Sequence, residues 1–232
     1  MNKKRRIVIF IIVIGISILG IFGFNYFDKS INGDPEKKRD TAQILKGKMQ
    51  KKYDIVIENS EGFYTHTVGY GATLTTESGI IFDAWNRPND IVDFYMEELW
   101  NKKGLDKWGY AEKFIEGVEE ITLNIGYREE ASRKISQLAK PIEEVKNDLW
   151  ITIYVDLKDP FREEKAIEIE KGIFNYYQQL LKDNGEGIEL IVRHDENSQK
   201  QETGSYMIVR DTNGKIPTIR DIDSISNTFF GG

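Results

Sequence analysis

Residues Ile7 to Phe27 read IVIFIIVIGISILGIFGFNYF and contain no charged side chain. A run of roughly 20 apolar residues is the length a helix needs to cross the hydrocarbon core of a bilayer. Inside lipid, a lone segment satisfies its backbone N–H and C=O groups only as a helix. The run therefore predicts a transmembrane helix, with Tyr26 near its outer end, at the depth tyrosine prefers. The competing reading is a cleaved signal peptide. Its apolar region is usually shorter and ends in a small-x-small motif. Here Gly20 and Gly23 stand three apart and no A-x-A occurs, so an uncleaved signal anchor is expected.

Orientation follows from charge. Lys3, Lys4, Arg5 and Arg6 abut the apolar run, and such bases stay cytoplasmic. Residues 1–6 are then a cytoplasmic tail, 7–27 a single-pass anchor in the cell membrane, and the remainder lies outside the cytoplasm. Taking the four tail bases from the total of 32 leaves 28 against 38 acids, a net of −10 beyond the anchor. Such a field repels phosphate backbones, so nucleic acid is not an expected partner. The absence of cysteine excludes disulfides, thiol nucleophiles, thiolate metal sites and lipidation of an N-terminal cysteine.

A second basic cluster opens the outer region. Lys37, Lys38, Arg39, Lys46, Lys48, Lys51 and Lys52 face only Asp34, Glu36 and Asp40. Residues 28–52 read as a juxtamembrane stalk helix with little apolar surface, starting after Asn32-Gly33-Asp34-Pro35. Its bases either solvate the helix or meet anionic lipid headgroups or an anionic wall polymer.

Residues 53–118 read as a β-meander with helices. Tyr53, Ile55 and Ile57 alternate, then Tyr64, His66, Val68, Tyr70, Ala72 and Leu74 suggest one long strand. Glu77-Ser78-Gly79 is a turn, and Ile80 to Trp85 a third strand. Asp90 is the expected N-cap of a helix burying Val92, Tyr95, Met96 and Leu99 and ending at Gly104. A weaker helical stretch carries Trp108, Ala111, Phe114, Ile115 and Val118.

Residues 119–232 alternate strand and helix. Strands are expected at 121–127, 149–157, 188–192 and 206–210, and helices over 129–146, with Pro141 at a kink or a break, and from Asp159-Pro160 to Asn184-Gly185. The end, Asn227 to Gly232, reads as frayed. The strands show one apolar and one polar face, where a parallel sheet covered on both sides would show continuous apolar runs. The fold class is therefore α+β, a mostly antiparallel or mixed sheet with helices packed on one face. The rhythm change near residue 119 is the expected subdomain boundary.

Chemistry is sparse. His66 and His194 have no second histidine at ligand spacing, and neither Asp195-Glu196 nor Asp221 with Asp223 resembles a calcium loop. Gly69-Tyr70-Gly71 lacks the third glycine and the following helix of a nucleotide loop. Asp54 with Glu58, or Asp156 with Asp159, would be the carboxylate pairs of a hydrolase, but no nucleophile, base and orienting group assemble around them or around Asp83. No catalytic residue, metal or cofactor is assigned. Aromatic residues are plentiful, and Trp150, Thr152, Tyr154 and Asp156 share the polar face of the 149–157 strand. That face is either partly covered by the other subdomain or a partner surface.

Three features occur together: Lys3 to Arg6 before an Ile-rich anchor, Lys51-Lys52-Tyr53-Asp54 entering a Tyr- and Thr-rich meander, and Asp93-Phe94-Tyr95 leading to Leu99-Trp100. In these the chain resembles small exported proteins of low-GC Gram-positive bacteria, membrane-anchored or lipidated. The resemblance implies a cell-surface location and carries no catalytic residues. The lipidation cysteine is absent. The expected function is that of a membrane-tethered extracytoplasmic binding or regulatory protein with a protein or envelope partner. The alternatives are a carboxylate-dependent surface hydrolase and a structural subunit of an envelope machine.

Overall fold

The computed structural model describes residues 29, 31–87, 90–128, 135, 140–194 and 204–231. The chain is α+β, with two mostly antiparallel sheets and helices. It divides into two compact units between Tyr95 and Met96, so residues 96–118 group with the second sheet and not with the meander. The tail 1–6 and the anchor 7–27 lie outside the described residues. Among the described residues no helix is long and apolar enough to cross a membrane.

The first unit begins with helix α1, Pro35–Tyr53. Asp34 caps it by accepting the Glu36 N–H at 3.0 Å, and Pro35 fits the first turn, where an N–H would have no helical partner. Asp54 ends it in the left-handed region at φ 53°. Seven bases make the helix look solvated, yet Ala42, Leu45 and Met49, spaced three and four apart, are buried. Full burial of a Leu or Met side chain is worth about 1.5–3 kcal/mol, so α1 is a packed element of this unit. It lies on β1, Ile57–Thr65, and β2, Gly69–Thr76. The approach is close at Gly62, where a Cβ would sit 2.0 Å from the Lys38 carbonyl oxygen. Only glycine fits there.

β3, Ile81–Arg87, and β4, Asp90–Asp93, complete an antiparallel sheet in the order β1-β2-β3-β4. Several boundaries differ from the sequence reading. Tyr53 closes α1 instead of opening a strand. The long strand from Tyr64 to Leu74 is a hairpin with a turn at 66–68, where Gly69 takes φ +88° and the Val68 N–H donates to Thr65 Oγ1. Tyr64 pairs directly with Tyr70. Facing residues thus share parity, and the alternation runs through the turn unbroken. Residues 90–93 form a strand because Ile91 and Val92 pair with Asn86 and Trp85. The helix starts after them, with Asp93 Oδ1 accepting the Tyr95 N–H at 3.3 Å. Asp93 also accepts from Lys52 Nζ and Tyr53 Oη, both at 2.8 Å, which ties the end of α1 to the edge of the sheet.

The second unit begins on α2, Tyr95–Trp108. Gly104 lies inside this helix and not at its end, because its bare Cα faces Leu123: an added Cβ would sit 2.7 Å from Leu123 Cδ1. Trp100 and Trp108 are core residues, and their indole N–H groups donate to the carbonyls of Lys140 at 2.7 Å and Asp183 at 3.1 Å. The sheet runs in sequence order through β5 Val118–Tyr127, β6 Leu149–Leu157, β7 Glu189–His194, β8 Gly204–Ile208 and β9 Phe229–Gly231. All pairs are antiparallel except β6–β7, which is parallel. A parallel pair needs a crossover, and helix α4, Ala166–Lys182, supplies it. Before α4 lies a short helix α3, Ile142–Val145. A last helix α5, Ile222–Ser226, precedes β9.

α4 buries Ile173, Tyr176, Tyr177 and Leu180, and β6 buries Leu149, Ile151, Ile153, Val155 and Leu157. Pro160 is not the first helical residue, since α4 begins at Ala166 after a 3-10 turn at Glu163–Lys165. The end of the chain is not frayed: Phe229 to Gly231 pair with Tyr206 to Gly204. Most of the expected helix 129–146, including Ala131, Leu138 and Ala139, lies outside the described residues, as do Asp195, Glu196 and Gly232.

Candidate functional site

Strand alternation leaves β6 with two unlike faces. Ile151, Ile153 and Val155 are buried, whereas Thr152, Tyr154 and Asp156 are half-buried and Trp150 is 39% exposed. Pairing builds the open face outward in rows. Gly126 lies opposite Trp150, and Asn124 opposite Thr152, which meets Glu189 on the other side. Thr122, Tyr154, Ile191 and Met207 form the next row, then Glu120, Asp156, Arg193, Ser205 and Phe230.

Guanidinium groups lie over the rings of this face. Arg128 and Arg210 sit 5.4 and 5.1 Å from the Trp150 ring, and Arg193 sits 4.7 Å from the Tyr154 ring, within cation–π range. Each arginine is held by further partners. Arg193 makes a bidentate pair with Asp156 at 2.6 and 2.7 Å. Arg128 Nε donates to the Leu149 carbonyl at 3.2 Å. Arg210 donates to the carbonyls of Gly187 at 2.5 Å and Gly214 at 3.2 Å. Glu189 accepts from the Arg210 backbone N–H at 3.1 Å and from Thr152 Oγ1 at 3.0 Å. Burial, and then the Arg128 charge, push the Arg210 guanidinium down, with Glu189 opposing. The Asp156 contact holds Arg193 up.

A cleft of about 320 Å³ lies at the carboxyl ends of β6 and β7, before α4. Leu157, Asp159, Arg162, Lys165, Glu168 and His194 are among its lining residues. The ends of parallel strands are where open sheets commonly hold ligands. His194 is buried. Its Nδ1 lies 3.2 Å from the Asp159 carbonyl oxygen. A carbonyl only accepts, so Nδ1 carries a proton, and in the neutral ring Nε2 is then the acceptor. Burial pushes the His194 pKa down, against the raising effect of the Asp159 carbonyl. Nε2 has no partner among the described residues. Asp159 pairs with Lys165 at 3.7 Å, and among the described residues no group of three or more His, Cys, Asp or Glu could hold a metal ion.

The other residues singled out in the sequence are dispersed. His66 lies in the exposed turn of the first hairpin, edge-on to Tyr64 at 5.5 Å. Asp83 accepts from Thr73 Oγ1 at 2.6 Å. Asp54 caps α1 while Glu58 lies on β1. Asp221 caps α5 by accepting from the Ser224 N–H at 2.9 Å and the Ser224 hydroxyl at 2.6 Å, which holds its carboxyl below the usual range. Asp156 engages Arg193 and Asp159 engages Lys165.

Alternation in the sequence groups Trp150, Thr152, Tyr154 and Asp156. It misses Arg128, Arg193 and Arg210, because the register that brings them over the rings is set by pairing between distant strands. Comparison with protein families, with curated proteins and with solved structures finds no match to this chain.

Proposed function

We propose that the protein is a membrane-tethered binding protein whose outer region engages a protein partner through the open face of the β5–β9 sheet. The observation that supports this is the row structure around Trp150 and Tyr154, two rings with arginines stacked on them on a half-open face. Trp, Tyr and Arg are the residue types that dominate binding hot spots. Arginines already pinned by carbonyls and carboxylates lose little freedom on binding, which lowers the ordering cost. On this reading the helices cover one face of the sheet and leave the other for the partner. The anchor at Ile7–Phe27 holds that face outside the cytoplasm, with Lys3 to Arg6 inside.

Photocrosslinking in cell membranes tests this reading. A photoreactive residue at Asn124, which is exposed on the open face, is expected to give a discrete adduct. The same group at Ile167, 59% exposed on α4, gives none. Trp150→Ala and Tyr154→Ala abolish the Asn124 adduct, and His194→Asn leaves it intact. An adduct that survives both aromatic changes but is lost with His194→Asn assigns function to the cleft instead.

A further inference from the structure

We infer that the exposed face of α1 docks on an anionic lipid surface and so fixes the first unit against the membrane; this rests on the anchor proposed above. Three observations carry it. The first is charge segregation. α1 holds seven bases and two acids, whereas residues 54–95, which follow it in the same unit, hold seven acids and one base. The second is how packing distributes those bases. Ala42, Leu45 and Met49 turn inward. Lys37, Ile44, Lys48 and Lys51, spaced seven, four and three apart, fall on one stripe of the helix. All four are exposed, Ile44 at 48%. The outward stripe is thus basic with one exposed apolar residue, and its charge is of the sign an anionic headgroup surface attracts.

The third is reach. Residues 28–34 separate the apolar run from α1, and even fully extended they span only about 24 Å. That is less than the ~28 Å length of a 19-residue helix. The basic element is thus held within a short tether of the bilayer. None of Lys37, Lys48 and Lys51 forms an ion pair with a described residue. Lys48 donates to the neutral Asn86 Oδ1 at 3.1 Å, and Lys37 lies 5.9 Å from the Tyr70 ring. Each remains able to meet a lipid phosphate, worth about 1 kcal/mol per base near an anionic surface.

The chain has no cysteine, so a single introduced thiol is labelled uniquely. Gly47 faces outward with nothing within 4 Å of an added Cβ, and Gly47→Cys carries a polarity-sensitive fluorophore. The full chain is reconstituted in vesicles of phosphatidylcholine, or of phosphatidylcholine mixed equally with phosphatidylglycerol. The expected result is a blue shift only with phosphatidylglycerol. The shift is lost at about 1 M salt, where the screening length is ~3 Å, and lost in the Lys37→Glu, Lys48→Glu, Lys51→Glu triple variant. Equal spectra in the two lipids overturn docking. A shift caused only by soluble poly(glycerol phosphate) also overturns it, in favour of a wall polymer. Flotation separates the two claims. Co-flotation with pure phosphatidylcholine vesicles after carbonate washing reads the anchor. Flotation only with phosphatidylglycerol, reversed by salt, supports docking and overturns the anchor.

Discussion

The two sheets solve the same problem by different connections. In β1–β4 every strand pairs antiparallel with its neighbour in sequence, and one helix, α1, lies on β1 and β2. In β5–β9 the central β6–β7 pair is parallel and needs α4 between its strands. The first arrangement rests on local pairing. The second brings Arg210 over the ring of Trp150, sixty residues away in the chain. Local pairing leaves an imprint on the sequence, whereas long-range register does not. Each sheet also shows aromatic residues on a less buried face. In the first, Phe63, Trp85 and Phe94 meet edge-to-face at 5.4 and 5.7 Å around Gly71. In the second, arginines replace the aromatic edges over Trp150 and Tyr154. In the first cluster the rings meet one another and Trp85 Nε1 is buried without a partner among the described residues; the second presents charge and ring together, which is why the proposed binding is placed there.

Two tryptophans of the second unit give the largest expected contrast. Trp108 is fully buried and donates to the Asp183 carbonyl. Trp108→Ala should cost about 3–5 kcal/mol in denaturant unfolding. Trp150→Ala should cost no more than ~1 kcal/mol while abolishing the Asn124 adduct. Comparable costs would mean that the Trp150 face is core. Next comes β6 itself. Ile153→Ala should cost about 2–4 kcal/mol, and Thr152→Ala, which loses one half-exposed hydrogen bond to Glu189, about 1 kcal/mol or less. Equal losses would show both faces of the sheet to be covered.

The first unit is probed by two glycines with opposite expected signs. Gly62→Ala forces a Cβ against the Lys38 carbonyl and should destabilise by about 1–3 kcal/mol. Gly47→Ala meets nothing and should stabilise by about 0.5–1 kcal/mol through helix propensity. If Gly62→Ala were neutral, α1 would be a free stalk and not a packed helix.

The smallest effect is a slope with pH. Burial depresses the His194 pKa in the folded chain, so the unfolded chain takes up the proton first. The stability linked to the neutral ring is present above the ordinary histidine pKa of about 6.5. It is lost as pH falls from there towards the folded value. Unfolding midpoints near pH 7.5 and pH 5.5 should therefore differ less in His194→Asn than in the parent. Identical differences would mean that His194 titrates as a solvated side chain.

Much of the fold was legible where a residue's partner is near in sequence. The alternation of Leu149 to Leu157 marks β6 and assigns its faces, and Asp159-Pro160 and Asn184-Gly185 bracket α4. The turn at 66–68 was hidden because Tyr64 and Tyr70 share parity across it. The packing of α1 was hidden because three apolar residues among seven bases look like solvated helix. The site was half legible: β6 supplied the rings, but the Arg193 and Arg210 contacts depend on the register of β7 and β8. His194 stands out in the sequence only as one of two histidines, and the lack of a partner for its Nε2 among the described residues is a property of packing that no spacing reveals.

The most direct measurement combines the tether and the face. The Asn124 adduct is compared in three forms of the protein: the parent, a chimera with an unrelated single-pass segment in place of residues 7–27, and residues 29–232 released without any anchor. Tethering raises the local concentration of a weak binder towards a membrane partner. The adduct should therefore persist in the chimera at the parental yield and fall sharply in the released form. Equal yield from the released form, or loss of the adduct in the chimera, would contradict a tethered binding protein working through the β5–β9 face.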